Sequence, residues 1–461
     1  MTICGWTRTK PKSIKYFHSL IYHFSKTPEP GVFYNKRVES NQNIIENFKY
    51  NFFVNVLDAS FFGFGIGFAS FSTILPLFVS QMTNSAVLIG LVPAIHNMFW
   101  QIPQLFMAKK VSSLPRIKPH VLLMTINERL PYLGFALIAW FLPVLNKSLA
   151  LSLFFVLLIW QGLGAGLTAN GWQSMLAKVI PSKTRARFFG VQSASANLFA
   201  SGGALLAGLL LQKASLQVGY TLCFLIAFVM LLISMFFLGL TREPRVEKAE
   251  PSSKTPTLLY SVKTTLKKDS IFLGFLVSRT FFQFGMMSFA FYIVYGAQNL
   301  GMSTAYAGVM TSLLLITQVV SNPVLGWVAD NWGHRPVLIL GSLASMLSAL
   351  FAWLATSLVL FPLMMVLSGI ANTTFWTIGI AYTLEFGTDD TRPTYVGILN
   401  TLGAPAAILA PLLGGWLADK YSYSVTFLVS AGLSLLTAVI LIGMGNYSKR
   451  KMRSNPQLGS G

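Results

Sequence analysis

The sequence predicts an all-α polytopic membrane protein with 12 transmembrane helices arranged as two parallel six-helix repeats. Three observations predict it. Of the 461 residues, 54% are hydrophobic and only 10% charged, with a mean hydropathy of +0.61, far outside the balance of a water-soluble domain. Apolar stretches of roughly 20 residues or more, the length a bilayer demands, recur from Phe52 to Gly445 with short polar breaks. Motifs of the first half return in the second, in the same order and direction.

In chain order the stretches place spans near 53–80, 86–108, 119–142, 149–177, 188–212, 217–240, 271–297, 304–328, 335–356, 359–386, 395–418 and 423–444. Basic residues collect in alternate breaks. Lys109, Lys110, Arg116 and Lys118 follow the second span, Lys178, Lys183, Arg185 and Arg187 follow the fourth, and Lys449, Arg450, Lys451 and Arg453 close the chain. The opposite breaks hold little charge, with Lys147, Lys213 and the pair Asp419 and Lys420 as the main exceptions. The positive-inside rule then puts both termini in the cytoplasm, which requires an even number of spans. A plasma (inner) membrane location is expected. The formal charge of +20 is spent on short loops facing lipid headgroups, which speaks against a nucleic-acid partner.

Outside the spans, 1–50 reads as a cytoplasmic tail, 51–241 as the first six-helix bundle, 242–270 as a cytoplasmic linker, 271–445 as the second bundle and 446–461 as a second tail. Residues 1–28 carry Arg8, Lys10, Lys12, Lys15 and Lys26 with no acid and no long apolar core, so a cleaved secretory signal is not expected; a transit peptide is the alternative to a tail. The linker mixes Arg242, Glu243, Arg245, Glu247, Lys248 and Glu250 with Pro244, Pro251 and Pro256, with a surface helix expected near Leu258–Lys268. Cys4 and Cys223 make no disulfide framework, and Cys223 sits in an apolar run as a small hydrophobe.

The internal duplication rests on fixed offsets. Phe61-Phe62-Gly63-Phe64-Gly65 returns as Phe281-Phe282-Gln283-Phe284-Gly285, and Pro103 as Pro323, an offset of 220. Farther on, Thr184, Arg185, Gly190 and Gly208 return as Thr391, Arg392, Gly397 and Gly415, and Gly162 as Gly369, an offset of 207. Two six-span halves of one direction, related by an axis along the membrane normal, explain both.

Between two apolar runs stands a polar knot, Gly326, Asp330, Gly333 and Arg335, in the order Gly-x-x-x-Asp-x-x-Gly-x-Arg. It resembles the loop signature of the major facilitator superfamily, the large group of solute transporters with 12 spans. The family's usual basic residues are replaced by Asn331 and His334. Gly326 permits close helix approach and Gly333 a tight turn, Asp330 can accept donors at a neighbouring helix start, and Arg335 sits where a carboxylate or helix-end carbonyls could hold it. By resemblance these are gate residues that latch one access state, with a short topology-setting turn as the plainer reading. The first-half copy has decayed: Lys110 stands where the second half has Asp330, and Leu114-Pro115-Arg116 replaces the glycine turn. Arg185 and Arg392 follow spans ending in Lys178 and Glu385, which predicts a charge-paired rim with Glu385 bound to Arg392 or Arg185, each pair worth about 1 kcal/mol.

An ionisable group at membrane depth costs roughly 2.5 to 3.5 kcal/mol, and so marks a candidate site. Asp58 in the first span, Glu128 and Arg129 in the third and Arg279 in the seventh qualify. The resemblance implies a cavity lined by the first, fourth, seventh and tenth spans, which makes Asp58 and Arg279 the leading candidates to face solute. Neighbours on a helix point roughly 100° apart, so Glu128 and Arg129 are expected not to face one another, at most one of them reaching the cavity. The plainer reading bonds Arg129 to Asp58 or to carbonyls of a neighbouring span. Asp58 or Glu128 is the candidate for proton coupling.

On the fourth span Gln161, Ala165, Thr168 and Trp172 recur at helical spacing, and the tenth offers Asn372, Thr373, Phe375, Trp376 and Tyr382. With Phe61, Phe62, Phe64, Phe281, Phe282 and Gln283 they would wall a cavity suited to an organic solute with an apolar body and a small polar or anionic handle. Ordinary helix packing is the plainer reading of each aromatic, and His96 is read as a packing histidine. The Gly-Pro-x-x-Gly-Gly motif of drug and proton antiporters is missing from the fifth span, which has Gly203-Ala204-Leu205-Leu206-Ala207-Gly208, while Ala410-Pro411-Leu412-Leu413-Gly414-Gly415 lies on the eleventh.

The expected function is secondary active transport of a small organic solute, anionic or amphipathic, by a monomer using alternating access, with proton coupling as an addition and no cofactor or metal. A non-transporting receptor or scaffold of the same fold is the alternative. An enzyme is the weakest reading, since the five histidines are dispersed and no metal-ligand or phosphate-loop spacing is present.

Overall fold

In the computed structural model, residues 30–112, 114–181, 184–244, 265–266, 269–386 and 392–454 are described. The expected leader or tail at 1–28, most of the linker with its surface helix near 258–268, and the Arg392 side chain lie outside the described residues. Among the described residues, twelve helices are long and apolar enough to cross a membrane: Glu46–Phe68, Ala86–Gln104, Lys118–Phe141, Lys147–Val179, Arg187–Lys213, Leu216–Gly239, Ser270–Asn299, Thr304–Trp332, His334–Leu354, Leu358–Thr383, Tyr395–Lys420 and Tyr423–Met444. They match the expected spans in number and order. Their outer faces carry exposed apolar side chains such as Val156, Phe236, Val320 and Leu409, the surface that lipid covers.

The packing repeats as the sequence does. The first span lies against the fifth and sixth, as the seventh lies against the eleventh and twelfth; the third packs on the fourth and sixth, as the ninth packs on the tenth and twelfth. The second meets the fourth as the eighth meets the tenth, and the halves join where the second meets the eleventh and the fifth meets the eighth. Equivalent glycines serve equivalent contacts. Gly65 packs on Ala227 and Leu231 of the sixth span, and its counterpart Gly285 packs on Ser434 of the twelfth.

Three spans differ from the expected continuous helices. The helix carrying the first span starts at Pro30, inside the expected tail, and stops at Phe68; a separate helix, Ile74–Ser80, completes the crossing. Hydroxyls make this break tolerable in an apolar medium, because freed backbone groups need partners there. The Ser72 amide donates to Ser70 Oγ at 3.3 Å, while the Thr73 hydroxyl, bonded to that of Thr311 at 2.7 Å, ties the break to the eighth span. The seventh span breaks at the equivalent place, with α-helix Ser270–Gly285, a 3-10 turn Met287–Ala290 and α-helix Tyr292–Asn299. Ser430 donates to the freed Gly285 carbonyl at 2.8 Å and accepts from the Ser288 amide at 3.1 Å. The tenth span carries a π turn, Thr374–Ile378.

Candidate functional site

A central cavity of about 410 Å³ lies between the halves. The first and fifth spans give Phe62, Gly63 and Asn197, the second His96 and Asn97, the seventh Gln283 and Met286, the eighth Gln318, the tenth Asn372 and Trp376, and the eleventh Ala407. Of the expected cavity residues, Phe62, Gln283, Asn372 and Trp376 are here. The second, fifth, eighth and eleventh spans also line the cavity, which widens the expected set of lining spans, and the fourth reaches only the first-half lobe described next. Phe61 is turned away and stacks on Phe237 at 5.3 Å. Gln161 is buried behind the wall and bonds His96 Nδ1 at 3.0 Å. His96, read from sequence as mere packing, thus lines the cavity, stacked on Phe71 at 3.7 Å between centroids. No sequence signal marked it, since its partners stand 25 and 65 positions away in chain order.

A second lobe of about 430 Å³ lies inside the first half, walled by Asp58, Thr125, Glu128, Arg129, Thr168 and Trp172 among others, and shares Phe62 and Ala196 with the central cavity. Arg129 donates to the Leu231 carbonyl at 2.7 Å and to Ser234 Oγ at 3.1 Å. Ser234 in turn donates a hydrogen bond to Asp58 Oδ1 at 2.6 Å. The guanidinium also reaches Glu128 Oε2 at 3.4 Å. Two expectations are corrected by this arrangement. Glu128 and Arg129 do meet, because both side chains are long enough to bend around the helix despite their backbone angle, and both line the lobe. The sixth span supplies Ser234, the link between Asp58 and Arg129, which the sequence reading did not single out.

Arg279 lines a smaller lobe of about 40 Å³ in the second half that shares Gln283, Trp376 and Ala407 with the central cavity. The π turn explains its position. A π turn leaves a carbonyl without its helical donor, and Arg279 donates to the Phe375 carbonyl while its guanidinium lies 3.9 Å from the centre of the Phe375 ring. Gly379 makes room, for a Cβ there would overlap Arg279 Nη1. Among the described residues no carboxylate lies within ion-pair distance of Arg279.

The loops separate into two ends. At the end bearing the termini, Arg335 donates to the carbonyls of Leu441 at 2.6 Å and Ile442 at 2.9 Å, and Gly333 has φ 89°, a conformation glycine adopts at little cost. Asp330 is exposed and bonds none of the described residues, and a Cβ at Gly326 would meet open space, so neither makes the expected close contact in this conformation. Glu385 pairs with His334 at 2.5 Å and not with Arg185. Arg185 instead caps the fourth span, donating to the carbonyls of Ala177 at 2.6 Å and Ile180 at 3.3 Å, since a guanidinium donates to unpaired helix-end carbonyls as well as to carboxylates. The carboxylate missing from the first-half loop comes from Glu243, past the sixth span. It accepts the Ile117 amide at 2.9 Å and the Lys118 amide at 2.8 Å, and it pairs with Lys178 at 3.3 Å.

At the opposite end the halves are sealed. Asp419 on the eleventh span accepts from Ser85 Oγ at 2.7 Å and from the amides of Ala86 and Val87 at 2.5 and 3.0 Å, capping the second span. Ser201 bonds Ser312 at 2.6 Å. Gly208 abuts Gly308, and Gly415 abuts Ala86 and Val87, so closely that a Cβ at either would overlap backbone. All hydrogen bonds joining described residues of the two halves lie at this end.

Paired six-helix bundles around a shared cavity define a membrane transporter. The family profile of the Major Facilitator Superfamily matches residues 128–297 and 277–458, and the chain belongs to that superfamily. It is 24% identical over 381 residues to an uncharacterised MFS-type transporter of Methanocaldococcus jannaschii, covering 80% of this chain and 89% of that protein. Over 192 residues it is 28% identical to monocarboxylate transporter 12 of Rattus norvegicus, covering 40% of this chain and 39% of that one. Among solved structures, a D-xylose-proton symporter superposes with a TM-score of 0.65 at 15% identity, covering 86% of this chain and 97% of that one. A mutant form of the nucleoside transporter NupG gives 0.66 at 14% identity, with 85% and 98% covered. At such identities the likeness is one of fold. The chain is therefore a 12-span integral membrane transporter and not an enzyme.

Proposed function

We infer that the chain is a secondary active transporter that moves a small organic solute with an apolar body and an anionic handle by alternating access. The observation that carries this reading is Arg279, a guanidinium lining a lobe of the cavity with no carboxylate partner among the described residues. A buried cation left without a counter-charge is costly, and an incoming anion removes that cost with charge-assisted hydrogen bonds. The partial likeness to a monocarboxylate transporter agrees with such a handle.

Alternating access is supported by the asymmetry of the two ends: among the described residues, the hydrogen bonds that join the halves lie towards the Asp419 end. In this state Asp330 is free to latch the other state, and Glu243 supplies the first half with a carboxylate cap of its own. The distribution of Lys and Arg supports cytoplasmic termini in a plasma (inner) membrane, so the conformation opens inward. A solute crossing as one molecule per cavity needs only the monomer.

Proton coupling is read from charge. The first-half lobe holds two carboxylates, Asp58 and Glu128, against one guanidinium, Arg129, and a proton balances the second. In reconstituted vesicles an acid-directed gradient should drive uptake of an organic anion, and Asp58→Asn and Glu128→Gln should each abolish the acid stimulation. Unchanged flux in both variants removes the coupling, and absence of flux for every solute leaves the receptor or scaffold reading.

A further inference from the structure

The geometry points to a zwitterionic solute that lays an ammonium in the first-half lobe and its anionic group at Arg279, with its apolar body across the central cavity. This rests on the reading of Arg279 as the anion's ligand and adds the second charge.

When no proton occupies it, the first-half lobe lacks one positive charge, which a proton or a solute's ammonium supplies in turn. Its charged lining side chains are Asp58, Glu128 and Arg129. Arg129 is already held by Leu231, Ser234 and Glu128, and among the described residues Asp58 accepts a hydrogen bond from Ser234 alone. An independent observation in the same lobe marks a place for a donor. Thr125 is 0% exposed, and its hydroxyl has no hydrogen-bond partner among the described residues. A buried hydroxyl without a partner costs free energy until a ligand satisfies it. Phe62, Trp100, Trp172 and Phe189 complete the wall. Carboxylates for charge, a hydroxyl to accept a bond and aromatic faces around them are what an alkylammonium needs.

Placement makes the two charges parts of one site. The first-half lobe shares Phe62 and Ala196 with the central cavity, and the Arg279 lobe shares Gln283, Trp376 and Ala407 with it. The small lobe, about 40 Å³, has room for a group of a few atoms such as a carboxylate. A molecule bearing both charges at its two ends touches both halves, and a molecule bearing one charge leaves the other lobe unbalanced. Separation of the lobes by the central cavity favours charges set apart along a chain over the adjacent charges of an α-amino acid.

The test compares 6-aminohexanoate, hexanoate, hexylamine and alanine as stabilisers of the purified full-length protein against heat, since a bound ligand raises stability with its occupancy. Aminohexanoate should bind about tenfold more tightly than hexanoate or hexylamine, the weight of one charge-assisted contact, and alanine should be weaker still. Glu128→Gln and Asp58→Asn should each shrink the ratio of aminohexanoate to hexanoate affinity toward one. Equal binding of aminohexanoate and hexanoate overturns the zwitterion and leaves the anionic reading standing. Preference for hexylamine, or stabilisation by none of the four, overturns both. Because the first comparison is made on the unaltered protein, a variant that fails to fold does not block the result.

Discussion

Glu243 and Lys118 hold each other's helix ends. The Glu243 carboxylate accepts the Lys118 amide at 2.8 Å, while the Lys118 ammonium donates to the carbonyls of Gly239 and Thr241, both at 3.0 Å. The start of the third span and the end of the sixth are thereby closed by one reciprocal clasp. With its carboxylate only 1% exposed, Glu243 sits where such a cap is worth most.

Replacing Glu243 with Ala should cost about 1 to 3 kcal/mol, the penalty for orphaning buried amides. Unfolding in detergent should show it as a lowered Tm, and Lys118→Ala should cost less because carbonyls tolerate loss better. A double-mutant cycle should give a coupling energy clearly above zero. Additive effects would mean that the two groups act apart.

Asp419 joins the halves through Ser85, Ala86 and Val87. Asp419→Ala should move the population toward molecules open at that end by about tenfold or more, since charge-assisted bonds made in one state alone set the balance. Distances between spin labels on the two halves would report it. An unchanged distance distribution would remove Asp419 as a latch.

Gly208 meets Gly308 backbone to backbone. Gly208→Leu should wedge the fifth and eighth spans apart and lower flux at least about tenfold, because overpacked side chains force backbone shifts. The equivalent Gly415→Leu should do the same between the eleventh and second spans. Wild-type flux in both would show that this seam never has to close.

Gly379 leaves the space that Arg279 occupies. Gly379→Ala should push the guanidinium off the Phe375 carbonyl and raise KM for an organic anion about tenfold, close to the effect of Arg279→Gln. A neutral analogue of the same solute should lose far less in both variants.

The spans were legible because each is a long apolar run, and hydropathy measures directly what a bilayer selects. The duplication was legible because some of its glycines stand where a Cβ would overlap neighbouring backbone, as Gly208 and Gly415 do. The breaks after Phe68 and Gly285 were not, since both runs stay apolar through the break and the groups that hold them, Thr311 through the Thr73 hydroxyl and Ser430 through the backbone, lie on other spans. Cavity and packing faces were also confused. In a helix that is apolar all round, periodicity cannot say that Phe62 faces the cavity while Phe61 stacks on Phe237. Glu243 was hidden for a simpler reason: its partner amides are more than a hundred positions earlier in the chain.

The sealed end joins glycine backbones, one capping carboxylate and short hydroxyls, with Phe291 of the seventh span set against Gly90 of the second. Where the glycines meet, the seam parts as two smooth faces do, and no rotamer has to be unthreaded there before the halves move. The Phe291 ring must leave Gly90 and find its slot again on return.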